Sequence, residues 1–158
     1  MITKKAMKSH WILLRFRDIG ATIEQLITIW QQKGRSVLEF ASPVFFSRLT
    51  LEQSDKIENV QKKAFTIILQ HDYKSYNSAL VKLGQEKLSD RRKAAALNFG
   101  RKSANNPKHT DMFPLNVAAR ENLRPRNETY KEYNCKKGRF YDSSLPTICR
   151  MLNQQIHD

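Results

Sequence analysis

The stretch that decides the fold is residues 50–69, which reads TLEQSDKIENVQKKAFTIIL. The Thr50 hydroxyl can accept a hydrogen bond from a free backbone N–H, while Gln53, three residues later, can reach back to Thr50; this arrangement is a capping box. Apolar residues then recur at spacings of three and four, the period of one helix face. We predict a helix whose buried face carries Leu51, Ile57, Val60, Ala64, Ile67 and Ile68.

Two helical patterns precede this stretch. Residues 3–17 place apolar side chains on one side and lysines on the other, and the pattern ends near Gly20. A second capping box, Thr22 with Gln25, begins the next pattern, which continues through Gly34 until Pro43, as one kinked helix or two short ones. The predicted apolar faces carry Met7, Trp11, Ile12 and Leu14, then Ile23, Leu26, Ile27, Trp30, Val37, Leu38 and Phe40. We expect both tryptophans in the core.

Two helical patterns follow it. Ser75 begins a short helix that ends at Gly84, whose position suits a left-handed C-terminal cap. Either Ser89 or Asp90 caps a fifth helix, which ends before Pro107. Its predicted apolar surface consists of Ala94, Ala95, Leu97 and Phe99.

These patterns predict an all-α protein, a small helical bundle over residues 1–106. After Pro107 the prolines recur and the periodicity fades until residues 145–156, so we predict a basic, mostly irregular C-terminal extension over residues 107–158. The length of 158 residues suits one domain with a tail. With 40% hydrophobic residues the chain has enough apolar material to fold.

The charge is strongly positive, with 28 basic against 15 acidic residues and a formal net charge of +13. Residues 1–90 hold 14 basic and 9 acidic residues, whereas residues 91–158 hold 14 basic and 6 acidic ones. The excess is therefore concentrated toward the C-terminus. A polyanion is the partner that such a surface attracts.

Catalytic patterns are weak in this sequence. No two acids are adjacent, and Glu52, Asp55 and Glu58 fall on a helix whose charged face we expect to be solvated. The glycines are isolated, which excludes a phosphate-binding loop. Cys135, Cys149 and the four histidines lack the spacings of a zinc site. We expect no catalytic residue, no metal and no cofactor.

The apolar runs are too short for an export signal or a membrane span. The two cysteines have no CxxC neighbour, which favours reduced thiols. We therefore expect a protein of the cytoplasm or nucleus that is not secreted.

Candidate nucleic-acid-binding residues lie in the fifth helix and the extension. Those of the helix are Arg91, Arg92, Lys93, Arg101 and Lys102. Those of the extension are Arg120, Arg124, Arg126, Lys131, Lys136, Lys137 and Arg139, interleaved with Tyr130, Tyr133, Phe140 and Tyr141. Cations beside rings that stack on bases are typical of single-strand binding, but they also suit a tail that folds back on its own domain. Both interpretations stay open.

Several stretches, in the same order along the chain, resemble one family. They are WIL at residues 11–13, GAT at 20–22, RSVLEFASPV at 35–44, LT at 49–50, IENVQKKA at 57–64, Tyr73, YNSAL at 76–80, LSDRR at 88–92, NPKH at 106–109, RFY at 139–141, SLP at 144–146 and RMLN at 150–153. Together they look like the region just after the polymerase core in reverse transcriptases of non-LTR (LINE-like, jockey-type) retrotransposons.

The resemblance implies a thumb-like helical bundle and extension that hold template RNA and growing cDNA. The implied partners are nucleic acid, as RNA, DNA or their hybrid, and the palm domain of a reverse transcriptase. The family is an RNA-directed DNA polymerase, but its catalytic aspartates lie upstream of the matched residues. We therefore carry over no catalytic residue and expect no activity from this chain alone.

Two other classes of function are open from the residues. The basic amphipathic helix of residues 3–17 suits a non-catalytic protein-interaction or membrane-surface module. The chain also suits a decayed reading frame without a selected function.

Overall fold

A computed structural model describes residues 2–115 and 130–155. All elements of regular secondary structure in these two ranges are helices. The predicted all-α class is confirmed. The one strand-like feature of the described ranges is an isolated antiparallel bridge between Leu115 and Tyr130.

The described residues contain nine α-helices. They are α1 (Ile2–Asp18), α2 (Ile23–Ile29), α3 (Ser36–Glu39), α4 (Ser42–Phe45), α5 (Leu51–Leu69), α6 (Tyr76–Lys82), α7 (Leu88–Ala104), α8 (Gly138–Tyr141) and α9 (Ser144–Gln154). A π-helical segment, Trp30–Arg35, joins α2 to α3, and 3-10 turns cover Phe46–Arg48, Gln70–Asp72 and Pro107–Met112.

The described residues form two compact units. Unit 1 comprises residues 2–42 and 49–92, and unit 2 comprises residues 43–48, 93–115 and 130–155. Helix α7 contributes its first residues to unit 1 and the remainder to unit 2. The predicted division into a bundle, residues 1–106, and an extension, residues 107–158, stays a prediction.

The predicted helix caps are largely confirmed. Both capping boxes form, Thr22 with Gln25 and Thr50 with Gln53. Ser75 caps α6 through the N–H of Ser78 at 3.2 Å, and Gly84 has a left-handed φ of 58° beyond the end of that helix. The predicted cap of α7 is wrong, because the helix begins at Leu88, before both Ser89 and Asp90.

The sequence leaves open whether one kinked helix or two short helices contain Gly34, and the structure shows a π-helical turn at this position. The chain stays helical from Ile23 to Glu39, and Gly34 lies against the Trp30 ring, where a Cβ atom would clash. The helix ends at Glu39, since Ala41 has a φ of 53°. The prediction that Pro43 ends it is wrong, because Pro43 lies in the first turn of α4, where a missing N–H costs little.

The core of unit 1 is formed by α1, α2, α5, α6 and the π-helical segment, with Leu13, Trp30 and Phe65 fully buried. The predicted face of α1 is wrong: its buried residues are Thr3, Ala6, Ser9 and Leu13, while Trp11 is 62% exposed. Small side chains face the core because the Trp30 ring occupies that space, close to Ser9. Leu51, predicted to be buried on α5, is 87% exposed, since it lies in the first turn of the helix.

The core of unit 2 is smaller and contains Ala96, Phe113, Ile148, Cys149 and Leu152. The predicted apolar face of α7 is displaced by one position: Ala96 and Gly100 are buried, whereas Ala94 and Phe99 are exposed. Gly100 lies against Ile148 of α9, which explains why a residue without a side chain stands there.

Candidate nucleic-acid interface

The two units differ in how their charges are paired. Every ion pair within 4.0 Å among the described residues lies in unit 1. The described part of unit 2 has ten cations and only three acids, Asp111, Glu132 and Asp142, none of which forms such a pair. The cations are Arg48, Lys93, Arg101, Lys102, Lys108, Lys131, Lys136, Lys137, Arg139 and Arg150. The described part of unit 2 therefore carries an excess of positive charge that no ion pair compensates.

Arg91, a predicted site residue, is bound to carboxylates within unit 1. Its guanidinium donates to both oxygens of Glu39, and it lies 3.6 Å from Glu86. The hydrogen bond to Glu39 raises the pKa of Arg91. Its charge is thus largely compensated before any phosphate approaches.

Arg92, the second predicted site residue, is 4% exposed and does not belong to a surface. Its Nη2 donates to Ser54 Oγ at 2.8 Å, and its Nη1 is buried without a hydrogen-bond partner among the described residues. Burial lowers the pKa of this guanidinium. The prediction that Arg92 contacts nucleic acid stays a prediction, but a guanidinium this buried offers little surface to a phosphate.

Glu58 is a buried carboxylate, and its charge opposes the lowering of the Arg92 pKa by burial. Glu58 accepts hydrogen bonds from the Tyr76 hydroxyl at 2.6 Å and from the backbone N–H of Ser89 at 2.7 Å. The Gln61 amide donates to the same hydroxyl at 3.0 Å. The expected solvated face of α5 is therefore correct for Glu52, which is exposed and pairs with Lys56, and wrong for Glu58.

The remaining predicted cations of α7 are exposed. Lys93 lies two turns before Arg101 and Lys102, so these three do not form one tight cluster. Arg101 donates to the Gln155 side chain at 2.7 Å, which ties α7 to the end of α9.

The extension contributes a second group of exposed cations. Lys136, Lys137, Arg139 and Tyr141 are all exposed around α8. Arg120, Arg124 and Arg126 lie outside the described residues.

Two further arginines join this group. The Arg150 guanidinium lies over the Tyr141 ring, 3.7 Å from its centroid, and donates to the Tyr141 carbonyl at 3.0 Å. Arg48 donates to the Arg139 carbonyl at 3.4 Å. We call this set the basic-aromatic surface; its members are Arg48, Lys136, Lys137, Arg139, Phe140, Tyr141 and Arg150.

The sequence did not single out Arg48 and Arg150 as site residues. Arg48 is 91 positions from Arg139, so only the fold brings them together. Arg150 is only nine residues from Tyr141 in the sequence. The two residues belong to different helices, however, so helical periodicity does not predict their contact.

The rings of the extension divide into two groups. Tyr130 packs edge-on against Phe113, and its backbone exchanges hydrogen bonds of 3.0 and 2.9 Å with the Asn153 amide. Tyr133 donates to the Met112 carbonyl, and burial raises its pKa. These two rings fold back on unit 2, whereas Phe140 and Tyr141 are 44% and 50% exposed. Phe140 also packs edge-on against Tyr133, and the Arg150 guanidinium covers the Tyr141 ring, so these two rings are open to a base in part.

Among the described residues, no three His, Cys, Asp or Glu side chains lie close enough to hold a metal ion. None of the described helices is long and apolar enough to cross a membrane.

Comparison with protein-family models, curated proteins and solved structures finds no match to this chain. The resemblance to retrotransposon reverse transcriptases stays a prediction that rests on the quoted stretches.

Proposed function

We propose that this chain is the post-palm, thumb-like segment of a non-LTR retrotransposon reverse transcriptase and that it binds nucleic acid. In that role it would hold template RNA and cDNA beside a palm domain that supplies the catalytic aspartates. The collinear resemblance supports the origin of the segment. The surface chemistry of unit 2 supports binding.

The observation that carries the binding proposal is the unpaired charge of the basic-aromatic surface. Described carboxylates lie beyond ion-pair distance of Lys136, Lys137 and Arg139, and exposed rings stand beside them. Cations of this kind release counterions when they neutralise phosphates, and open rings stack on bases. The Arg150 guanidinium already covers one ring, and a stacked base could extend that pair.

Binding is tested with the purified full chain and labelled RNA, DNA and hybrid oligonucleotides over a range of salt concentrations. The logarithm of the binding constant should fall linearly with the logarithm of the salt concentration, with a slope of about 0.7 per phosphate contacted on a single strand. Replacing Lys136, Lys137 and Arg139 together by alanine should reduce that slope by about 2. Absence of binding at low salt, or affinity independent of salt, would exclude the proposal.

A matched control is the pair of exposed lysines Lys56 and Lys82 of unit 1. Each is bonded to a carboxylate at 2.6 Å, by Glu52 and Asp72 respectively. Replacing both lysines by alanine removes two positive charges, but each of these charges is already paired with a carboxylate. The salt slope should stay nearly unchanged, because these charges are already compensated.

The origin of the segment has its own tests. The coding sequence immediately upstream of Met1 should encode a palm with paired aspartates, and an unrelated sequence there would contradict the proposed origin. The purified chain should incorporate no nucleotide on a primed RNA template. Incorporation would show that the chemistry resides in this chain and would overturn the assignment.

A further inference from the structure

The outer face of α1 carries a tryptophan and several cations that do not take part in the packing of the core. Trp11 is 62% exposed and Met7 is 42% exposed. Lys4, Lys8 and Arg15 are exposed on the same face, since residues spaced by three, four, seven or eight positions align along a helix. The face spans roughly 16 Å along the helix axis. An exposed ring beside cations supplies the two kinds of group that single-strand binding uses, one to stack on a base and the other to contact phosphates.

The cations of this face are free of acidic partners among the described residues. No described carboxylate lies within ion-pair distance of Lys4, Lys8 or Arg15. Asp18, the one acid of α1, is bonded to Arg17 at 2.8 Å. The charge of the face is therefore available to an anion.

We propose that the outer face of α1, formed by Lys4, Met7, Lys8, Trp11 and Arg15, binds single-stranded nucleic acid. Trp11 stacks on a base, and the three cations contact the phosphates on either side of it. This deepens the proposed function and rests on it, because it names a second site, in unit 1, and the strand form that this site takes.

The helix holds this face in a fixed orientation. Ala6 and Leu13 on the opposite side are fully buried, and His10 Nε2 lies 3.0 Å from the Val60 carbonyl oxygen of α5. The Arg15 guanidinium lies 5.2 Å from the Trp11 ring centroid, which restrains the ring while most of it stays open to solvent. A platform that is already ordered loses little entropy when a base stacks on it.

The position of the charges favours a polyanion over a lipid surface. A helix that lies in a bilayer interface needs an apolar face directed into the lipid, with cations at its flanks. Here the exposed apolar residues Met7 and Trp11 share one face with the three cations, and the apolar residues Ala6 and Leu13 are buried in unit 1. Single strands are favoured over duplexes because stacking on a side chain needs a base that has left its own stack.

The test measures the tryptophan emission of the full chain during titration with a short oligothymidylate, an oligouridylate of equal length and a duplex. The single strands should quench part of the emission, and Trp11→Ala should abolish the quenching, since the remaining Trp30 is fully buried. The same variant should weaken single-strand binding by roughly tenfold while leaving duplex binding unchanged. Lys8→Ala should lower the single-strand salt slope by about 0.7.

Two controls keep this result separate from folding and from the proposed function. Val81→Ala removes an 85% exposed apolar side chain from α6 and should change neither quenching nor affinity. A reduced salt slope in the Lys136, Lys137 and Arg139 variant with unchanged Trp11 quenching would show that the α1 site binds independently of the basic-aromatic surface. Binding of wild type without any effect of Trp11→Ala would overturn the α1 site and leave the proposed function intact. Anionic vesicles that displace the oligothymidylate and themselves shift the Trp11 emission would overturn it in favour of lipid.

Discussion

The carboxylate of Glu58 accepts a hydrogen bond from the backbone N–H of Ser89 at 2.7 Å, so a side chain of α5 caps the N-terminus of α7. The first N–H groups of a helix have no partner within it, and the nearby Ser89 and Asp90 do not supply one. Glu58 also accepts the Tyr76 hydroxyl, and burial together with this bond raises the pKa of Tyr76. One buried carboxylate thus joins α5, α6 and α7.

Glu58→Ala should lower the free energy of unfolding by about 2–4 kcal/mol, because it leaves a backbone N–H and a hydroxyl without their acceptor and removes a negative charge that acts on the buried Arg92. Urea denaturation followed by circular dichroism measures the change. Glu52→Ala, which removes an exposed carboxylate of the same helix, should have no measurable effect. Equal effects of the two substitutions would contradict the structural role of Glu58.

Gly34→Ala should destabilise the protein by about 1–3 kcal/mol, although alanine is the better helix former. The added Cβ would overlap the Trp30 ring and Ser9 Oγ, and both are held in the core of unit 1. Gly138→Ala is the matched control, since nothing lies within 4 Å of its added Cβ. The melting temperatures of both variants measure the effect. A Gly34→Ala variant as stable as wild type would exclude close packing against Trp30 as the reason for a glycine at this position.

The helices and most of their caps could be predicted from sequence because they depend on residues within one turn. Thr50 and Gln53 are three positions apart, so their mutual hydrogen bonds form without any other part of the chain. The cap of α7 could not be predicted, since its acceptor, Glu58, lies 31 residues away. The exposure of Trp11 could not be predicted for a related reason. Periodicity identifies an apolar stripe on α1, but packing against the Trp30 ring decides which side of α1 is buried.

The exposure of the candidate site residues could be predicted only in part from their charge. Lys136, Lys137 and Arg139 are exposed, as a cationic run in a polar stretch suggests. Arg92 has the same charge in the sequence and lies in the core, because α7 turns it toward Ser54. A residue's formal charge does not reveal which face of its helix is covered.

The protein should lose stability on acidification through the titration of His10. Burial is the main cause that lowers the pKa of His10 below its ordinary value of 6.5, and the charge of Lys63 acts in the same direction. The unfolded chain therefore binds a proton at a higher pH than the folded one, so stability is complete above about pH 6.5 and falls as the pH drops below it. Urea denaturation at a series of pH values measures this slope.

His10→Gln should flatten that pH dependence, because glutamine does not titrate and its amide can still donate to the Val60 carbonyl. An unaltered slope in His10→Gln would assign the pH dependence to other groups.

Substitution of Arg92 should change stability but not binding, whereas substitution of the cations of the basic-aromatic surface should change binding but not stability. Arg92→Ala should lower the free energy of unfolding by about 2–3 kcal/mol, because it leaves Glu58 without a nearby buried cation and removes the bond to Ser54. At a temperature where circular dichroism shows that this variant is folded, its affinity for oligonucleotides should equal that of wild type. The variant lacking Lys136, Lys137 and Arg139 should show the reverse, since those side chains are exposed and make no described ion pair. A loss of affinity in folded Arg92→Ala at unchanged salt slope would mean that the buried network shapes the binding surface, and that Arg92 acts through the fold of α7.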